Sequence, residues 1–254
     1  LTIDINLAFI LYEKCVLAFK NKKMRLPLYI SLPHAGTRVA PELKDLCLLR
    51  HEDILADYDE GADAIYSSLQ EHAEGFCSTG ISRSLVDLNR SPQEIGGNGV
   101  IKSHTCWNVP VYRNFPDDNL IQTVLGRYYF PYHDKLSAAA GTGTVRLGID
   151  CHTMSAVGPP IGPDPGRKRP LVCLSNRDGT CPEEWIRSLA SCFAEVFREK
   201  VAVNVPFRGG YIIRSHATEM AWVQIEISQT EAYSNAFKRN CVLEGLKRFC
   251  HTVW

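Results

Sequence analysis

Two histidines sit where apolar runs give way to polar residues. His34 follows Leu26-Pro-Leu-Tyr-Ile-Ser-Leu32-Pro33, and His152 follows Val145-Arg-Leu-Gly-Ile149-Asp150-Cys151. Each run has the apolar, β-rich character of a buried strand. The C-terminal end of a strand in an α/β sheet is where ligands are usually held. An imidazole there is a natural metal ligand once a carboxylate orients its ring, and it is equally a half-buried histidine bonded to a loop. Asp59 lies in the acidic stretch Asp57-Tyr58-Asp59-Glu60-Gly61-Ala62-Asp63. Asp57 and Glu60 have the spacing of a capping box, so this stretch reads as a helix start that leaves Asp59 free. His34, Asp59 and His152 together make a three-ligand zinc site with an open fourth position. That is the catalytic arrangement; structural sites are closed and cysteine-rich. Zinc so held makes water nucleophilic near neutral pH and polarises a carbonyl. Glu226 is then a candidate base. Arg83, Asn89 and Arg90 are candidates to hold an anionic substrate, since a guanidinium matches a carboxylate bidentately. The three ligands span more than a hundred positions and match no short zinc motif.

These side chains need rigid elements to hold them. Strands are expected over Leu26–Leu32, Val145–Ile149, Leu171–Leu174, Val201–Val205 and Trp222–Ser228. A helix is expected to run from the acidic stretch through Ile65, Leu69, His72, Ala73 and Phe76. Gly80–Arg90 reads as a strand of polar alternation, with Arg83, Leu85, Asp87 and Asn89 on one face. It is a core strand whose polar groups are partnered, or an edge strand with solvated arginines. Residues 91–119 read as a long loop that shapes a site. Asp118–Ala140 reads as a helix kinked or broken at Pro131. The segment from Gly158 to Arg169 reads as a mobile flap with a basic end, and the helices Pro182–Lys200 and Ala232–His251 complete the chain. Strands alternate with helices, so the class is α/β with a sheet covered on both faces. Residues 1–23 read as an extension, a hairpin or a helix, and residues 24–254 as one domain.

Composition narrows the partners. Lys+Arg and Asp+Glu each number 28 in 254 residues, so the formal net charge is +0. Neither nucleic acid nor an acidic membrane is implied. No apolar run approaches the roughly 18 residues of a membrane span, and no basic n-region with a cleavage site opens the chain. The ten cysteines are scattered without a C-x-x-C pair. They read as buried, reduced thiols of a cytoplasmic protein, not as a zinc site or a disulfide framework.

Pro33-His34-Ala35-Gly36, Asp57-Tyr58-Asp59 with Tyr66, Ser82-Arg83 with Asp87-Leu88-Asn89-Arg90, Pro131-Tyr132-His133, Asp150-Cys151-His152-Thr153-Met154, Phe207-Arg208-Gly209-Gly210 and Gln224-Ile225-Glu226 occur in this order. The ordered set resembles the N-formylglutamate amidohydrolase family, over a span from about Leu26 to about Thr230. The resemblance implies a zinc-carboxypeptidase-like (phosphorylase/hydrolase-like) fold with a single mixed sheet. It implies hydrolysis of N-formyl-L-glutamate or a related small, anionic N-acyl amino acid. A carboxypeptidase-type peptidase and a non-catalytic binding protein are the other readings of such a scaffold. By the resemblance, His34, His152 and Asp59 or its neighbour Asp57 hold one Zn2+ or another divalent ion. Glu226 is the catalytic carboxylate and Arg83 stabilises the oxyanion. Asn89 and Arg90 grip the substrate carboxylate, with Arg208 and His133 as further binding residues. Thr37 stands where zinc carboxypeptidases place the glutamate three residues after the first histidine, so the middle ligand comes from elsewhere.

Overall fold

The computed structural model describes residues 25–177 and 179–254. The extension expected over residues 1–23 lies outside the described residues. Strands β1 (Leu26–Leu32), β2 (Ala73–Ser78), β3 (Leu147–Met154), β4 (Val172–Ser175), β5 (Val201–Val203) and β6 (Ala221–Ser228) form one sheet in the order β2-β1-β3-β6-β4-β5. The β1–β2, β1–β3, β3–β6 and β4–β5 pairs are parallel, and β4 pairs with β6 antiparallel, so the sheet is mixed.

Side chains alternate across each strand. Leu28, Ile30, Leu147, Ile149, Val223, Ile225 and Ile227 are fully buried toward one face. There they pack against α2 (Ala62–Tyr66), α5 (Glu183–Phe197) and α7 (Asn235–Val253). Tyr29 and Trp222 face the other way, onto a second cluster with Tyr129, Tyr132, Leu136 and Ile212. Those residues belong to α4 (Phe130–Ala140), the turn before it, and α6 (Tyr211–Ser215). Gly148 makes this second face possible. A Cβ there would fall 2.3 Å from Trp222 Cδ2, so only a glycine lets the indole lie over β3.

Three expected elements differ. The helix from the acidic stretch is short: α1 (His51–Asp57) ends at Asp57, α2 starts after Gly61 at φ 77°, and a 3-10 stretch, Ser67–Glu71, leads directly into β2. The apolar spacing that read as helix through Phe76 crosses this change of element. Gly80–Arg90 is not a strand but a chain of turns with one bridge, Arg38 to Ile81. Its polar residues turn inward to partners instead of alternating across a sheet. At Pro131 the helix does not simply kink. α3 (Asp118–Val124) widens into a π-helical stretch, Leu125–Tyr129, just before Pro131, and α4 continues from it with Pro131 in its first turn. The 158–169 segment is irregular, as expected, and is closed on itself by Gly158 N–H to Arg167 O and Gly166 N–H to Gly158 O, each 2.9 Å. Among the described residues no helix is long and apolar enough to cross a membrane.

Candidate active site

Neighbouring parallel strands place their C-terminal ends side by side. In register, Ser31 of β1 stands beside Asp150 of β3, and His152 of β3 beside Glu226 of β6. Residues in register share a face. Asp150, His152, Gln224 and Glu226 therefore form a polar stripe on the face opposite Ile149, Cys151 and Ile225. His34, two residues past the end of β1, brings its ring centroid to 4.7 Å from that of His152. Asp59, in the turn between α1 and α2, reaches both. Its Oδ2 lies 2.9 Å from His152 Nδ1 and 3.6 Å from His34 Nδ1. One ligand atom from each of the three lies within 4.8 Å of the others, and all three residues are buried.

The far nitrogens of both rings are also held. His34 Nε2 is 2.8 Å from Asp87 Oδ1, and His152 Nε2 is 2.8 Å from Asp150 Oδ2. A carboxylate behind each imidazole fixes the ring and its tautomer, leaving Nδ1 to face the ligand. Asp150 is itself held by Ser31 Oγ at 3.0 Å and by Asn89 Nδ2 at 3.2 Å. The segment carrying Arg83 and Asp87 reaches the site because Gly36 lets it pass. A Cβ on Gly36 would fall 2.4 Å from the carbonyl carbon of Gly80. Arg38 N–H to Gly80 O and Ser82 N–H to Arg38 O then lock the crossing.

Arg83 joins two of these carboxylates, donating from Nη1 to Asp59 Oδ1 at 2.9 Å and from Nη2 to Asp87 Oδ2 at 3.2 Å. Asp57 is not a helix cap. It closes α1, is buried, and accepts from Ser84 Oγ, Cys106 N–H and Lys102 Nζ. Burial raises the Asp59 carboxyl, yet His34, the His152 hydrogen bond and Arg83 together hold it well below the usual carboxylate range. Glu226 goes the other way. Burial, with Asp59 and Asp150 nearby, pushes it up to about 8 against the pull of His152 and Arg83.

A cavity of about 180 Å³ opens over this cluster. His34, Asp59, Arg83, Asn89, Arg90, His152, Arg208 and Glu226 all line it, so eight of the nine site residues expected from the sequence meet in one place. His133 does not line it. Its Nε2 donates to Leu88 O at 3.0 Å, and its Nδ1 is 2.8 Å from His216 Nε2. Burial, then His216, lowers it to about 4. His133 thus holds the backbone next to Asn89 and Arg90 from behind, as does Tyr129 through its hydroxyl to Arg90 O at 2.8 Å.

The model of the N-formylglutamate amidohydrolase family matches residues 26–232. The chain belongs to that family. Among N-formylglutamate amidohydrolase relatives, an N-formylglutamate deformylase of Pseudomonas aeruginosa is 25% identical over 228 residues, covering 84% of each chain. One from Pseudomonas putida is 25% identical over 221 residues, covering 81% of each. The crystal structure of an N-formylglutamate amidohydrolase from Ralstonia eutropha superposes with a TM-score of 0.72 at 22% identity, covering 91% of this chain and 95% of that one. This family is one of hydrolases acting on an amide.

Three observations fit a divalent cation at the His34–Asp59–His152 cluster of this family member. The buried His34 Nδ1 has no hydrogen-bond partner and faces Asp59. Two imidazole nitrogens and a carboxylate oxygen are the donor set of an open catalytic zinc site. The far nitrogen of each ring is held by a carboxylate, His34 Nε2 by Asp87 and His152 Nε2 by Asp150, the support usual behind metal-bound imidazoles. Sequence reasoning missed the support around the ligands. Asp87 stood in the motif without a role, and Lys102 lay in a loop that matched nothing. The pair Val100-Ile101, fully buried in the structure, was the available sign that this loop enters the core.

Proposed function

We propose that the chain is a divalent-cation-dependent amidohydrolase that cleaves N-formyl-L-glutamate or a close N-acyl amino acid to a carboxylate and the free amino acid. Residues 24–254 form the single catalytic domain. The observation that carries the reading is the meeting, in one cavity, of the His34–Asp59–His152 cluster, the raised carboxyl of Glu226, and two arginines, Arg90 and Arg208. His34, Asp59 and His152 would hold the cation, best zinc by donor set, which supplies Lewis acidity toward a carbonyl and a water. Glu226 takes a proton from the attacking water and returns one to the leaving nitrogen. Arg83 holds Asp59 and Asp87 in place and lines the cavity, and the developing oxyanion is assigned to it. Free, mostly buried thiols such as Cys151 and Cys173 support a reducing, cytoplasmic setting.

The test is a hydrolysis assay on formylated amino acids and short peptides, run beside elemental analysis of protein purified without chelator. N-formyl-L-glutamate turnover and about one divalent ion per chain are expected, with both lost in His34→Ala and His152→Ala. Metal-free protein with chelator-resistant activity would overturn the cation, and turnover of peptides alone would replace the substrate by that of a peptidase.

Arg90 gives a second prediction. Its Nε and Nη1 donate to Asn98 O and Asn89 O, which leaves the rest of the fork to the cavity. Arg90→Lys keeps charge and loses bidentate geometry, so kcat/KM is expected to fall by the equivalent of ~1.5–3 kcal/mol. An α-amidated substrate should be handled alike by both proteins. If the variant still discriminates against the amide as strongly as the parent does, Arg90 is not the carboxylate clamp.

A further inference from the structure

Gln224 opens the Gln224-Ile225-Glu226 motif, yet the reaction described above gives it nothing to do. It stands two residues before Glu226 on β6, so both side chains leave the same face of the sheet. It is 4% exposed and lines the catalytic cavity beside that carboxylate. Its amide is held at both ends. Oε1 accepts from Gly210 N–H at 2.7 Å, and Nε2 donates to Glu226 Oε1 at 2.9 Å.

A backbone N–H can only donate, so the amide atom facing Gly210 is the oxygen and the group facing Glu226 is the NH2. Turning the amide over would set donor against donor at Gly210. Glu226 is thereby divided into two unlike oxygens. Oε1 takes an N–H and is held as an acceptor. Oε2 accepts no hydrogen bond among the described residues and is not sealed from solvent, so it opens on the cavity.

The loop that supplies Gly210 is itself fixed. Ser175 Oγ donates to Phe207 O at 2.8 Å, and Ser175 is the register neighbour of Gln224 across β4 and β6. Two adjacent strand residues thus grip the loop on either side of Arg208. A Cβ on Gly210 would fall 2.2 Å from Asn89 Nδ2, so glycine is what lets the loop amide come this near.

We propose that Gln224 is the positioning residue of the catalytic carboxylate: it holds Glu226 Oε1 as a fixed acceptor and so makes Oε2 the oxygen that moves the proton. The proposal rests on the amidohydrolase reading above. Oε2 takes a proton from the attacking water, whose oxygen bonds to the acyl carbon. The C–N bond breaks with its electron pair on nitrogen, and Oε2 returns the proton there. Oε1 keeps its N–H throughout, so the carboxylate does not rotate between the two transfers.

A double-mutant cycle tests this. Gln224→Met nearly keeps the volume and removes both hydrogen bonds. The experiment measures kcat per bound cation on N-formyl-L-glutamate for the full chain, Gln224→Met, Glu226→Gln and the double variant. In the parent background Gln224→Met is expected to lower kcat about tenfold or more, the scale of a hydrogen bond to a charged group. In the Glu226→Gln background, where the group to be positioned is gone, the same change should alter kcat by no more than about twofold. Gln224→Ala leaves room for water at Gly210 N–H and serves as the second variant if the methionine form does not fold; the same pattern is expected of it. Equal fold losses in the two backgrounds would show that Gln224 only shapes the cavity and would overturn the proposal. A parent-like kcat in folded Gln224→Met or Gln224→Ala also overturns it, and in both cases the amidohydrolase reading stands. A parent chain that does not turn over the substrate at all removes that reading and the proposal with it.

Discussion

Glu226→Gln is expected to keep the fold and the bound cation and to lose at least ~100-fold in turnover, the lower end of what a positioned acid or base contributes. The substitution is nearly isosteric. Glu226 Oε1 accepts from Gln224 Nε2 at 2.9 Å, and a glutamine oxygen can accept the same bond. Its backbone stays paired between β3 and β4, beside His152 and Cys173. What disappears is the exchangeable proton. Burial has raised that carboxyl to about 8, the property expected of a group that must both take and give a proton near neutrality. A structural carboxylate would behave differently. Its replacement would cost stability and leave the reaction intact. Cation content, melting temperature and turnover measured on one preparation separate the two. Near-normal turnover with the cation retained would remove Glu226 from the mechanism.

The strand ends that carry this chemistry were legible in the sequence because their signal is local. Leu26–Leu32 is an apolar run broken only by Ser31 and closed by Pro33, and the alternation of Val223, Ile225 and Ile227 against Gln224, Glu226 and Ser228 has the strict period of two. The structure places both as expected. The Asp-Cys-His order at 150–152 puts a carboxylate and an imidazole on one face of one strand, and they pair at 2.8 Å. The Gly80–Arg90 segment was misread for a physical reason. Its polar residues also fall at a period of two, but they owe their burial to ionic partners on other segments and not to a sheet. Arg83 pairs with Asp59, Asp87 with His34, and Asn89 with Asp150. Such pairings join positions far apart in the chain, and no periodicity records them. The ordered motifs supplied the residues, while the role of Asp87 behind the His34 ring became visible only once the fold brought the two together. His133 shows the limit of the motif itself. It stands beside Tyr132 in the ordered set, yet its ring turns away from the cavity to Leu88 and His216.

Lys102→Met is expected to destabilise the fold by ~3–5 kcal/mol, the cost of removing one partner from a buried ion pair. Lys102 is 1% exposed, and its Nζ lies 3.3 Å from Asp57 Oδ2 and 3.2 Å from Asp87 Oδ2. Methionine matches the length of the stem and removes the charge, so the two carboxylates remain buried while the cation between them is gone. For a domain of this size ~1 kcal/mol corresponds to about 2–4 °C, which puts the loss in melting temperature on the order of 10 °C. Asp87 keeps Arg83 and the Asn89 N–H, so His34 should keep its orienting carboxylate, and the folded variant should still bind its cation. The double change Lys102→Met with Asp57→Asn tests the cause. Asp57 then no longer buries an unpaired charge, so the double variant should be more stable than the sum of the two single losses predicts. Strict additivity, or a loss below about 1 kcal/mol in Lys102→Met, would show that the lysine merely fills space. The expected coupling would make the 91–119 loop, through this one buried ammonium, part of the foundation on which the His34–Asp59–His152 cluster is built.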